Sequence, residues 1–309
     1  MGILVRLITV LVVLAVAAPA AHAAFPGRNG AVGYAFSTST GGDTGPLFQT
    51  DGIAARRLNA QRGRDVVRCE RRNGAPTGGN CTVTEFRSPS YSASGRRIVF
   101  DAGERLGVIG AGGAGLYLLP PVTADDGDPA FSPDGRRIVF TGTDDGGATT
   151  DVWVHRLGSM FARKIVPDAS MPAWSSRNEI AWVQDGKIHV SNRKGDRRRL
   201  VTSGISPDWA PGGGRLVFVR PAAAFPDGRM FTIGARGRNL RRFLPTVRDA
   251  SGPVWSPNGR WIGFERLFTG VLAKRLGSRA EPVHVAESQT SGESGSVSYF
   301  DPTWRPRPR

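Results

Sequence analysis

Hydrophobic positions along this chain fall in short alternating runs separated by Gly, Pro, Asp and Ser clusters, the spacing of half-buried β-strands joined by tight turns. No stretch carries the longer periodicity of an extended helix. One run recurs. Residues 128–140 read DPAFSPDGRRIVF, 88–100 SPSYSASGRRIVF, 171–182 MPAWSSRNEIAW, 206–218 SPDWAPGGGRLVF and 252–264 GPVWSPNGRWIGF, while 301–309 read DPTWRPRPR. The shared prolines stand at 89, 129, 172, 207, 253 and 302. Self-similarity of this kind marks an array whose units cannot bury an apolar face alone, and a period of about forty residues fits four-stranded propeller blades.

Each part of the unit has a physical reading. Pro-x-aromatic predicts a short strand whose aromatic side chain wedges against the next blade. Proline at the same place six times requires a sheet edge, since proline cannot donate to a ladder, and the strand lining a central channel is such an edge. Ser-Pro-Asp-Gly fits a type I turn. Arg-Ile-Val-Phe is the strand leaving it. Second strands are expected at Ala31–Phe36, Arg97–Asp101, Arg137–Thr141, Glu179–Val183, Arg215–Val219 and Arg260–Glu265, which gives six blades. Phe25–Phe36 lacks a Pro-x-aromatic strand of its own, and the tail Asp301–Trp304 has only that strand. The C-terminal strand is therefore expected to become the innermost strand of the first blade and close the ring.

The Pro-x-Trp/Phe-Ser-Pro-Asp-Gly-x-x-Ile-x-Phe unit resembles the repeat of TolB-type, WD-like β-propellers over nearly all of residues 24–309. The resemblance implies an all-β fold of six four-stranded antiparallel blades. It says little about function, because the motif belongs to the scaffold. The repeats start almost directly after the leader, so the N-terminal domain that precedes the TolB propeller is not expected here, and its specific partnership is not carried over.

Within the blades, Leu47–Thr50, an Asp51-Gly52 turn and Ala55–Leu58 are expected to continue blade one. Leu116–Leu119 is expected as the third strand of blade two, with a weak fourth near Val122. Residues 59–87 read as an insertion, with Asp65–Cys69 and Cys81–Glu85 forming a hairpin tied by a Cys69–Cys81 disulfide.

Residues 1–23 read as a secretory signal peptide: Arg6, an apolar run at Leu7–Ala18, and Ala21-His22-Ala23 before the cut. The run is short for a membrane span, and no later stretch approaches one. The protein is thus expected outside the cytoplasm, as a secreted or periplasmic monomer of the cell envelope. The formal charge is +15, almost all of it arginine. Arg56-Arg57, Arg163-Lys164, Arg197–Arg199 and Arg241-Arg242 are expected to open outer strands, where charge protects a sheet edge. The same charge attracts anionic polysaccharide or a membrane surface. No aromatic-and-basic module points to nucleic acid.

Candidate chemistry is sparse. Gly110–Gly115 matches the dinucleotide fingerprint, but Leu116–Leu119 runs into Pro120-Pro121, leaving no room for the helix that would hold a pyrophosphate. It reads as an interstrand loop, and no cofactor is expected. His155, His189 and His284 sit on different blades without metal-ligand spacing. Asp125–Asp128 is acidic, but lacks the spaced ligands of a calcium loop and reads as a solvated turn. No Gly-x-Ser-x-Gly elbow is present. The inner-strand residues Asp128, Asp208 and Asp301 are the ligand-binding candidates, placed at one channel mouth by the fold alone. Three functions follow: a non-catalytic scaffold that binds an envelope or extracellular protein, an anion-binding arginine rim, and a glycan lyase or hydrolase working at the channel mouth.

Overall fold

The computed structural model describes residues 24–40, 48–56, 64–72, 75–76, 86–143, 149–222, 228–266, 269–291 and 295–307. They form six antiparallel sheets, each built outward from a Pro-x-aromatic strand. The six inner strands are Gly295–Arg307, Arg87–Tyr91, Asp125–Phe131, Ser170–Trp174, Ile205–Trp209 and Ala250–Trp255. Each contacts the next in cyclic order, and the last returns to the first. The chain is a six-bladed β-propeller. Blade one is closed as expected: Gly295–Arg307 pairs with Arg28–Thr40, with Trp304 opposite Val32.

The turn chemistry follows the sequence. Gly135 N–H donates to Ser132 O at 2.9 Å and the Ser132 hydroxyl accepts from Arg137 N–H at 2.9 Å. The equivalent turns of blades two and six repeat both bonds. These turns and the third-to-outer turns lie on one face, called here the base. The inner strands start on the opposite face, at the channel mouth.

Blade one departs from expectation. Phe48–Arg56 is one unbroken strand, and Asp51 and Gly52 lie in register with Ser37 and Phe36 rather than in a turn. Its outer strand is Arg64–Arg72, so the first half of the expected hairpin belongs to the blade. Arg56 consequently ends a third strand instead of opening an outer one. Cys81 and the expected disulfide lie outside the described residues. In blade two the third strand is Leu106–Gly110, and Tyr117–Leu118 is the outer strand, with Gly110–Gly115 turning between them. Gly107 hid the strand from a β-propensity reading. Its glycine is required because a Cβ there would lie 2.5 Å from the Phe100 ring.

Packing between blades is regular, and it reverses one expectation. The inner-strand aromatics wedge against the preceding blade. Trp209 packs on Ala173 and Ala181, and its indole N–H donates to Ala173 O at 3.1 Å. Phe131 joins Val99 and Val108, Trp174 joins Val139 and Val152, and Trp304 joins Val254 and Val271. Each such wedge removes a large apolar surface from water, at about 25 cal/mol per Å².

Arginine adds a second tie. Arg97 donates to Gly135 O at 2.6 Å, Arg198 to Ile165 O at 3.0 Å, Arg56 to Val285 O at 2.8 Å and Arg305 to Gly95 O at 2.8 Å, each across a blade boundary. Part of the chain's arginine excess is thus structural, its planar fork capping carbonyls of the neighbouring sheet.

The start of the described chain spans the base of the channel. Ala24 N–H donates to Trp209 O at 3.2 Å and Ala24 packs beside Ala210 and Trp255, on blades five and six. Phe25, 2% exposed, packs across the ring against Val99, Phe131 and Ile138 of blades two and three.

Candidate functional site at the channel mouth

The residue before each of the six prolines has a left-handed backbone: φ is 51° at Ser88, 50° at Asp128, 52° at Met171, 50° at Ser206, 51° at Gly252 and 50° at Asp301. Only one of the six is glycine. At each place the inner strand slips register against the second strand, as where Gly127 faces Thr141 but Ala130 faces Val139. This is a β-bulge, repeated around the ring. Left-handed geometry costs an L-residue about 1–2 kcal/mol, and a following proline narrows it further. Strain of this kind concentrates where a backbone has a job beyond packing.

The bulges bring their residues to one ring of hydrogen bonds. Ser88 N–H donates to Asp301 Oδ2 at 2.9 Å, and the Ser88 hydroxyl lies 3.5 Å from Asp128 Oδ1. Thr141 donates its hydroxyl to Asp128 Oδ2 at 3.2 Å and accepts from Met171 N–H at 3.1 Å. Glu265, on the second strand of blade six, accepts from the backbone N–H of Asp301. One chain of contacts therefore links blades six, one, two, three and four.

Asp128 and Asp301 are brought together, as expected for a shared mouth. Their electrostatics follow from crowding. Burial pushes the Asp128 carboxyl up to about 7, and the nearby Asp301 charge adds to this. Burial and the Asp301 charge push Glu265 up to about 8. Asp301 is raised by burial, against the pull of Ser88 N–H and Arg87. Near neutral pH Asp128 and Glu265 are therefore partly protonated, so the mouth offers both donors and acceptors.

Asp208 does not join them. It sits one residue past its proline, fully buried, and accepts from Trp255 N–H at 2.6 Å. Burial holds its carboxyl well above the usual range. Its Oδ1 has no partner among the described residues, which suits a protonated carboxyl pinning blade five to blade six. Glu265 was missed in the sequence because it lies outside the repeated Pro-x-aromatic element.

The other candidates separate. Asp125–Asp128 opens an inner strand, and instead of a solvated turn it contains Asp126, 1% exposed, which accepts from Val122 N–H, Thr123 N–H and the Thr123 hydroxyl. His155 is buried with neither ring nitrogen bonded among the described residues, and His189 stacks on Trp182 at 5.7 Å. His284 lies exposed on the outer strand of blade six. Among the described residues no three His, Cys, Asp or Glu side chains are grouped to hold a metal ion.

The two faces differ in charge. Inner-to-second and third-to-outer turns on the base carry Arg96-Arg97, Arg136-Arg137, Arg156, Arg177, Arg193-Lys194, Arg236, Arg238, Arg260, Arg275 and Arg279, while their described carboxylates are Asp134, Glu179, Asp196 and Glu281. The mouth face holds the acids just described, with Glu104, Asp125, Asp168, Asp185 and Asp249 around them, and its cations are Arg87, Arg105, Lys187, Arg220, Arg229, Arg248 and Arg266.

No family model matches the chain. Solved structures do. The chain is similar to TolB from Acinetobacter baumannii, with 12% identity, a TM-score of 0.60, and 89% of this chain covering 67% of that one. It is similar to a putative TolB from Agrobacterium tumefaciens, with 13% identity, a TM-score of 0.60, and coverage of 88% and 99%. An oligogalacturonate lyase in complex with manganese matches at 13% identity and a TM-score of 0.52, with coverage of 88% and 86%. At these identities the likeness shows architecture alone, and among the described residues no helix is long and apolar enough to cross a membrane. The chain has the TolB-like fold, a six-bladed β-propeller closed by its own C-terminal strand.

Proposed function

We propose that the protein is an exported, non-catalytic propeller scaffold whose channel mouth docks a protein partner in the cell envelope. The observation that carries this reading is the ring of strained X-Pro bulges. It holds Asp128, Glu265 and Asp301 in a fixed, hydrogen-bonded rim with mixed donor and acceptor character. Rigid rims of this kind present loops and polar groups to a partner without moving, which lowers the entropic cost of association. The carboxyls of Asp128 and Asp301 are engaged by Ser88 and Thr141, which suits a binding surface better than a pair of groups working on opposite sides of a bond. The TolB-like fold supports the same reading.

The test is crosslinking and pull-down of the chain from 24 to 309 out of its own envelope fraction, compared with an Asp128→Lys/Asp301→Lys variant. Capture of one protein at physiological salt, lost in the variant, supports the scaffold. Equal capture by both overturns the mouth as the docking site. Turnover of an acidic glycan by the purified chain would replace the scaffold with the lyase reading that the manganese-bound neighbour suggests.

A further inference from the structure

On the base, blade three ends its third strand in the turn Arg156–Ala162. Met160 is 74% exposed and Phe161 83% exposed, the most exposed of the large apolar side chains among the described residues. They are held outward by a bonded turn. Ser159 N–H donates to Arg156 O at 2.9 Å, Phe161 N–H donates to the Ser159 hydroxyl at 3.1 Å, and Leu157 N–H donates to Arg136 O at 3.0 Å. Neither side chain covers a core cluster.

Beside Phe161 a groove of about 490 Å³ runs between blades three and four. Arg137, Arg156, Arg163, Arg193 and Lys194 line it, and no carboxylate does. Arg137 is paired with Asp134, and Arg163 donates to Lys194 O. The side chains of Arg156, Arg193 and Lys194 meet no carboxylate among the described residues. Unpaired cations, crowded into one groove of a face already rich in arginine, create a field that selects anions.

We infer that this base docks on an anionic phospholipid bilayer, with Met160 and Phe161 entering the boundary between headgroups and acyl chains and Arg156, Arg193 and Lys194 meeting headgroup phosphates. A soluble anionic polymer would neutralise the groove but leave Met160 and Phe161 in water. A bilayer surface meets both, because its interface pairs phosphate with hydrocarbon within a few ångströms of depth. The base then lies on the membrane while the mouth faces away, free for a second partner. This deepens the envelope reading and rests on export of the chain.

The experiment is cosedimentation of the purified chain, residues 24–309, with vesicles of phosphatidylglycerol and phosphatidylethanolamine against vesicles of phosphatidylcholine, in 0.15 M salt. Binding to the anionic vesicles alone is expected. A Met160→Ser/Phe161→Ser variant is expected to lose about tenfold in affinity, about 1.4 kcal/mol, with an unchanged melting curve. Arg193→Glu/Lys194→Glu should lose at least as much. In Phe161→Trp, tryptophan emission should shift to the blue on anionic vesicles and stay put with soluble polygalacturonate. No shift, or wild-type binding by the Met160/Phe161 variant, overturns lipid docking. Equal binding of both proteins to polygalacturonate in place of vesicles assigns the groove to a soluble polymer and overturns it too. Cell fractionation tests export separately: a cytoplasmic chain would sink that reading while leaving the vesicle result intact.

Discussion

Ser88 N–H donates to Asp301 Oδ2 at 2.9 Å, joining the inner strand of the second blade to the C-terminal strand that closes the first. The bond is available because both residues adopt left-handed backbones before prolines. A backbone strain repeated around the ring is what aims these polar groups at one another.

That crowding predicts a pH profile. Burial holds the carboxyls of Asp128 and Glu265 near 7 and 8 in the folded chain, above their unfolded values. The native state therefore keeps protons that the unfolded chain releases, and stability falls as pH rises from about 4 through 8. Both groups are partly exposed to channel water, which moderates the effect. A fall in the melting midpoint of about 5 °C between pH 5.5 and 8.5 is expected. The Asp128→Asn/Glu265→Gln variant should lose part of that slope in differential scanning calorimetry, the rest staying with Asp208 and Asp301, whose carboxyls burial also raises.

Asp208 should separate acceptor from charge. Asn at 208 keeps an acceptor for Trp255 N–H and places a neutral amide where a protonated carboxyl sits, so its cost should stay within about 1 kcal/mol. Ala at 208 leaves that N–H buried and unpaired, and should cost about 2–3 kcal/mol. Chemical denaturation of the two variants at pH 7 compares them. A larger loss for Asn than for Ala would show Asp208 to be ionised.

The bulges predict an asymmetry between two sites of equal geometry. Gly252, with φ of 51°, already relieves the strain that Ser206 bears at 50°. Gly252→Ala should destabilise by about 1–2 kcal/mol, and Ser206→Gly should be neutral or stabilise by up to about 1 kcal/mol. Urea midpoints report both.

Ring closure has its own test. Trp304, 5% exposed, packs on Val254, Val271 and Val285 of blade six while its strand pairs with blade one. Trp304→Ala should cost about 3–5 kcal/mol. Removing residues 295–309 should abolish cooperative unfolding, and adding that segment as a peptide should restore it, measured by the near-ultraviolet circular dichroism of the buried tryptophans.

Much of this architecture was legible because the repeat is punctuated by chemistry with few alternatives. Proline at an edge, Ser-Pro-Asp-Gly at a turn and a β-branched run after it fix two strands and the turn between them in each blade, and the unmatched tail at Asp301–Trp304 reveals the closure. Outer and third strands were harder. Leu106–Gly110 carries Gly107, which clears the Phe100 ring, and Gly110, where a Cβ would meet Ala114 O at 2.8 Å, and Phe48–Arg56 carries an Asp-Gly pair inside a ladder. In both, tertiary packing overrides local propensity. At the mouth, Asp128 and Asp301 could be placed by the repeat, whereas Asp208 stands two positions later in the unit and faces the neighbouring blade. Glu265 enters only through folding. Arginine looked like a solvated fringe, and several of its members bridge blades instead, since a guanidinium's reach across a boundary leaves no trace in spacing.

The Ala24–Phe25 segment changes how such a ring comes apart. A stack of similar sheets usually frays from whichever end is free. Here the C-terminal strand is woven into the first blade as its innermost strand, and the Ala24–Phe25 segment is drawn across the floor from blade five to blades two and three. Neither segment can peel away without disturbing the opposite side of the ring. Amide protons in blades one and six should then exchange only through opening of the whole molecule, at the same slow rate as those at the centre of blade three.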